Sequence, residues 1–239
     1  MIYMKPNYFF TVIKKLTPDM LIKLFLLINI ISTQALAYTQ EQERWLNAED
    51  DNDVSHVNEG QLVFIEPPSD KNPLHSINQL TIDKNSIDNG WVKLQQCYKH
   101  LGILEQVEIT YKYQFMKRLT LVSKNNIGKA RIKKQSIELS NVKKDSELCI
   151  SADVRIFYQN PDRSFSLING PFHRRFLDGY YPYHLTLKIN YPEDLLFFKN
   201  SIPKPQKGFL IQRKASQILF DTYFEGILNT EMRFILKNN

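Results

Sequence analysis

From Val107 to Phe115 and again from Tyr183 to Tyr191, apolar residues recur at every second position. Val107, Ile109, Tyr111, Tyr113 and Phe115 alternate with Glu108, Thr110, Lys112 and Gln114. Tyr183, Leu185, Leu187, Ile189 and Tyr191 alternate with His184, Thr186, Lys188 and Asn190. Successive side chains of a strand point to opposite faces, so this pattern describes strands with one face on a core and one in water. A third run, Leu148, Ile150, Ala152, Val154 and Ile156, alternates with Cys149, Ser151, Asp153 and Arg155. Weaker candidates cover 61–66, 77–82, 117–123, 129–139, 164–168, 208–213, 216–224 and 230–236. Turn signals at Asn89-Gly90, Asn125-Asn126, Asn160-Pro161-Asp162, Asn169-Gly170 and Glu225-Gly226 separate them. Only 98–104 and 40–48 suit a helical turn or two, which excludes repeating β/α units. The expectation is an all-β chain of ten to twelve short strands in an antiparallel β-sandwich, as one large or two small tandem sandwiches divided near residue 160.

The N-terminus reads differently. Lys5, Lys14, Lys15 and Lys23 precede an apolar run from Leu24 to Ile31 interrupted only by Asn29, and Ala35-Leu36-Ala37 follows. A basic region, a short apolar core and small residues before a cut have the order of a secretory leader, and the core is shorter than a membrane-spanning helix requires. Residues 1–37 are therefore expected to be a signal peptide cleaved after Ala37, and the mature chain to be exported, periplasmic or secreted. The leader takes four Lys and Asp19 with it, leaving 27 basic and 24 acidic side chains, a net charge of +3 in place of +6. Residues 38–59 are acidic and poor in apolar side chains, which predicts a flexible arm ahead of a β-rich domain over 60–239. Asp51, Asp53 and Ser55 have the first spacings of a calcium loop, but glycine is missing at the sixth position and Leu62 stands where a bidentate Glu belongs. No metal is expected.

The chain has two cysteines, Cys97 and Cys149. In an oxidising compartment they pair by default. Each stands on the polar side of its alternating strand, so the bridge is expected to join neighbouring strands on one outer face. Trp91 precedes Cys97, and Glu147 stands where an immunoglobulin domain would place its corner tyrosine, so that fold is excluded.

Two segments attract functional attention. Lys112 to Lys144 contains ten basic residues against the single acid Glu138; the simpler reading is the wet faces of edge strands, where lysine blocks aggregation. The other is 171–184, which holds His173, Arg174, Arg175, Asp178, Tyr180, Tyr181, Tyr183 and His184 between two expected strands. Arginine can hold a carboxylate or phosphate bidentately and tyrosine can stack on a sugar or peptide side chain, so this loop is the candidate ligand or partner surface. The competing reading has its aromatics closing one end of the core. There is no HExxH pair and no GxSxG elbow. No catalytic residue is assigned; a dispersed site would draw on His173, Asp178 and His184. The functional expectation is a non-catalytic module without a cofactor that binds an envelope protein, glycan or anionic polymer and no nucleic acid. The alternatives are a hydrolase of an envelope polymer and an assembly component pairing through strand edges.

Overall fold

The computed structural model describes residues 2–3, 58–69, 72–176 and 179–237. Of residues 1–59 only Ile2, Tyr3, Asn58 and Glu59 are described, so the leader's basic and apolar regions, its cleavage site and nearly all of the acidic arm lie outside the described residues, while the leader's Ile2–Tyr3 pairs with the larger sheet. In chain order the elements are β1 (Ile2–Tyr3), β2 (Val63–Ile65), β3 (Leu74–Thr81), α1 (Lys84–Asn89), β4 (Trp91–Lys99), β5 (Leu104–Thr110), β6 (Met116–Lys133), β7 (Ser136–Arg155) and β8 (Phe157–Gln159). They continue with β9 (Phe165–Phe172), β10 (Arg174–Phe176), β11 (Gly179–Tyr181), β12 (Tyr183–Asn190), β13 (Leu196–Ile202), β14 (Ile211–Lys214), β15 (Gln217–Glu225) and β16 (Leu228–Leu236).

The protein is nearly all β, as the alternation requires. The larger sheet runs open from β11 through β10, β1, β5, β7, β4, β3, β12 and β15 to β14, with β2 also on β15 and β6 also on β7. The smaller has the order β13-β16-β9-β8. Both feed one continuous apolar core: Leu80, Leu94, Leu148, Leu185 and Leu187 come from the larger sheet, and Phe157, Phe165, Leu228 and Phe234 from the smaller. The Phe234 ring lies 5.9 Å from Phe157, 5.8 Å from Phe198 and 5.2 Å from Tyr191. Each such side chain removed from water contributes about 1.5–3 kcal/mol.

Pairing is antiparallel with two exceptions. β1 pairs with β10 in parallel, and β3 runs parallel to β12 over its whole length, with His75 beside His184 and Ile77 beside Thr186. The antiparallel expectation holds for the remaining pairings. Parallel neighbours need a long crossover, and here everything from β4 to β11 intervenes.

The disulfide joins Cys97 and Cys149, directly opposed on antiparallel β4 and β7. It bridges adjacent strands on the face opposite buried Leu94, Leu148 and Ile150.

Asn125-Asn126 does not end a strand. β6 passes through it and pairs with β7 along nearly its whole length, with register shifts at three places, one between Asn125 and Ile127. Asn126 has φ 55°, so this asparagine adopts the left-handed conformation of a bulge without closing a turn. The short helix, α1, sits where only a turn is expected. Asp83 caps it, its side chain accepting from the Ser86 amide while the Ser86 hydroxyl accepts from the Asp83 amide. Gly90 ends it at φ 75°, where a Cβ would meet the Phe157 carbonyl at 2.6 Å.

β6 carries six of the ten basic residues of the 112–144 segment, and among the described strands it pairs only with β7. Its charges are largely engaged nearby. Lys117 lies 3.9 Å over the Trp91 ring, Arg118 pairs with Asp153, Lys124 donates to the Ile127 and Gly128 carbonyls, and Lys133 pairs with Glu138. These contacts are compatible with reading the segment as solvated edge-strand charge.

Candidate functional site

The eight residues of the 171–184 segment go to three places. Arg174, Arg175, Tyr180 and Tyr181 form the β10–β11 hairpin, with Arg174 opposite Tyr181 and Arg175 opposite Tyr180. The Arg175 guanidinium carbon lies 5.5 Å from the Tyr180 ring centre. His173, just before β10, is buried and meets the same ring edge-on at 5.7 Å. Its Nδ1 has no hydrogen-bond partner, and burial, followed by nearby positive charges including Lys112 and Arg175, lowers its pKa from 6.5 to about 4. Burial also lowers the Arg174 pKa. Asp178 lies outside the described residues. Tyr183 and His184 begin β12 and, as consecutive strand residues, point to opposite faces. His173 meets Tyr180, whereas His184 meets His75, Tyr223 and Asp221.

Tyr183 points inward, to a cleft of about 30 Å³, room for one or two waters or a single small functional group. Gln96, Tyr98, Tyr111, Tyr113 and Tyr183 line it with Pro171 and Phe172, and Lys112 stands among the lining residues. The chain therefore leaves the cleft wall at Phe172, makes the Arg/Tyr hairpin, and returns to the wall at Tyr183. Burial pushes the hydroxyls of Tyr98, Tyr111, Tyr113 and Tyr183 well above the usual tyrosine pKa, so all four remain protonated donors. The Tyr113 hydroxyl donates to Asn169 Oδ1 at 2.9 Å. Those of Tyr98 and Tyr111 interact at close range, but Tyr111 does not reach hydrogen-bond geometry.

Behind the tyrosines is a buried polar chain. Gln96 Nε2 donates to Ser76 Oγ at 3.0 Å, and Ser76 donates to Asn78 Oδ1 at 3.3 Å. These three side chains are 4%, 0% and 1% exposed, yet Gln96 Oε1 and Asn78 Nδ2 have no partner. A buried polar group left unpaired costs about 1–3 kcal/mol, so two in one network call for an explanation.

His184 points outward. Across the outer face, His75 of β3, His184 of β12 and Tyr223 of β15 are aligned by register. The His75 and His184 rings stack at 3.6 Å and 11°, and the His184 and Tyr223 rings at 4.0 Å and 13°. In the next row, Thr186 is opposite Asp221. His184 Nε2 lies 2.8 Å from Asp221 Oδ1, Thr186 donates to Asp221 Oδ2, and His75 Nε2 lies 2.8 Å from Thr186 Oγ1. Because the Thr186 proton goes to Asp221, donor logic assigns an Nε2 proton to His75; the carboxylate assigns one to His184. Burial first, then His184, lowers the His75 pKa to about 4. The donor atoms of His75, His184 and Asp221 all lie within 4.8 Å of one another, close enough to be considered as metal ligands. Cys97, Cys149 and Glu147 are similarly close, but the two sulfurs are joined to each other.

Residue spacing alone misses both His75 with Asp221 and the Ser76–Asn78–Gln96 chain. Ser76 and Asn78 occupy the core-facing positions between Leu74 and Leu80, and that break in the apolar alternation is the signal that could have marked them.

No family model matches the sequence. The chain is similar to Protein TIC 214 of Cuscuta reflexa, with 25% identity over 185 residues. The match covers 72% of this chain and 10% of that protein, so the chain spans about a tenth of the length of its curated relative. A solved structure, the M1 zinc metallopeptidase from Deinococcus radiodurans, matches at 10% identity over 74% of this chain and 42% of that one, with a TM-score of 0.36. A likeness at that score carries no argument about fold or chemistry. Among the described residues, no helix is long and apolar enough to cross a membrane.

Proposed function

We propose that this protein is an exported, non-catalytic binding module, periplasmic or secreted, with its two sheets packed as a β-sandwich. It seats an oxygen-rich end group of an envelope glycan or anionic polymer in the tyrosine cleft. The observation that carries this reading is a cleft lined by Gln96 and four tyrosines, with the buried Gln96 Oε1 left unpartnered. A sugar hydroxyl both donates and accepts, so it would satisfy Gln96 and Tyr111 together once side-chain shifts in the cleft wall uncover these buried atoms, and a sugar carboxylate would gain from Lys112. The Arg174–Tyr181 hairpin, anchored to the cleft wall at both ends, extends the contact to the following units. The disulfide is compatible with an oxidising compartment, and the single core shared by both sheets supports the sandwich.

The test is retention of the oxidised protein on neutral and carboxylated cell-wall glycan fragments, compared with Tyr111→Phe, which keeps the ring and removes the unpartnered hydroxyl. Loss of a hydrogen bond worth about 1–3 kcal/mol lowers affinity roughly 10–100-fold. Equal retention by both proteins, or by neither, contradicts the reading. Release of shortened glycan would favour the hydrolase alternative.

A further inference from the structure

The outer face of the same sheet gathers a second cluster of polar side chains, His75, His184 and Asp221. We propose that His75, His184 and Asp221 bind one divalent d-block cation of the zinc class, clamping β3, β12 and β15 together. Two imidazole nitrogens and one carboxylate form a donor set for zinc, copper, nickel or iron rather than for calcium or magnesium, which take oxygen. The fold supplies the placement. Parallel register puts the two histidines side by side, and antiparallel register puts Asp221 one row along on the next strand. Both Nε2 atoms already point toward the Thr186–Asp221 pair, so the ion would sit above Thr186.

Metal–nitrogen distances of about 2.0–2.1 Å in a tetrahedral site place donor atoms about 3.3 Å apart. The widest donor pair, within 4.8 Å, must contract by on the order of 1 Å while His184 Nε2 and Asp221 Oδ1, now 2.8 Å apart, open slightly, and the stacked rings must fan apart so that each lone pair meets the ion. Side-chain torsions suffice, because Asp221 is exposed and both histidines are only half-buried. Each imidazole moves its proton from Nε2 to Nδ1, with no net proton change. Three protein ligands leave at least one position for water or an incoming donor.

The test uses the metal-free, oxidised full chain, titrated with Zn²⁺ by calorimetry and with Co²⁺ by visible d–d absorption. His75→Gln and Asp221→Asn are run alongside after circular dichroism confirms folding. The expected result is one ion per chain, a Co²⁺ spectrum of nitrogen and oxygen donors without a thiolate band, and an affinity loss of at least about 100-fold in each variant, beyond the roughly 10–100-fold seen on removing a supporting group. Failure of the folded wild type to take up either ion overturns the proposal, as does undiminished uptake by both variants, which would place the donors elsewhere. Should one substitution unfold the chain, His184→Gln replaces it, and the wild-type Co²⁺ spectrum reads the donor set without any variant.

Discussion

The two faces of β12 treat polar groups in opposite ways. Inward of Tyr183, the Gln96–Ser76–Asn78 chain is fully buried and two of its atoms are unpaired. Outward of His184, the groups are half-exposed and hydrogen-bonded among themselves: Asp221 accepts from His184 and Thr186, and Thr186 accepts from His75. The inner arrangement is destabilising unless something completes it, whereas the outer one persists alone and offers its donors to an ion. One strand thus presents two chemically distinct sites, separated only by the alternation of its side chains.

The largest expected contrast comes from truncating consecutive residues. Tyr183→Ala opens a cavity in the core and is expected to destabilise the protein by about 3–5 kcal/mol, whereas His184→Ala on the half-exposed side should cost about 1 kcal/mol or less. Urea unfolding measures both, and equal costs would break the comparison. Cys97→Ser follows, with an expected loss of about 2–4 kcal/mol under oxidising conditions. An unchanged melting temperature would show that the outer face needs no covalent staple.

Acid should act on both sides, because burial lowers outer His75 as well as buried His173 to about 4. His173 titrates near 4 in the fold against 6.5 in an unfolded chain, so the unfolded state binds more protons between those values. Stability contributed by neutral His173 is present above pH 6.5 and is lost as pH falls toward 4. His173→Phe should flatten that part of the stability profile, and an unaltered slope would contradict the burial of a neutral imidazole. The smallest effect is expected for the Arg174→Ala/Arg175→Ala pair, about 1 kcal/mol or less on a folded hairpin. A larger loss would make the arginines braces and remove them from the contact surface.

Much of this architecture was legible in the alternation. β12, β15 and the Cys149 segment of β7 follow the period-two rule, and the same rule placed both cysteines on one outer face. β13 escaped because a register shift between Phe198 and Asn200 interrupts its period, and α1 because six residues are too few to show one. The expected strand through Phe115 ends at Thr110, beyond which Tyr111 and Tyr113 turn to the cleft. Of the candidate sites, the 171–184 segment was visible by composition. The pairing of His75 with His184 was not, because parallel register between strands so distant in sequence leaves no local mark.

The most direct test of the cleft as a ligand site is the effect of Gln96→Leu on stability and glycan retention, measured on the same sample. Leucine removes the unpaired oxygen and keeps the buried volume, so the account predicts a melting temperature equal to or above that of the wild type together with lost retention. A protein destabilised by a few kcal/mol, or one that retains glycan as before, would show that Gln96 serves the architecture and that the cleft is not the binding site.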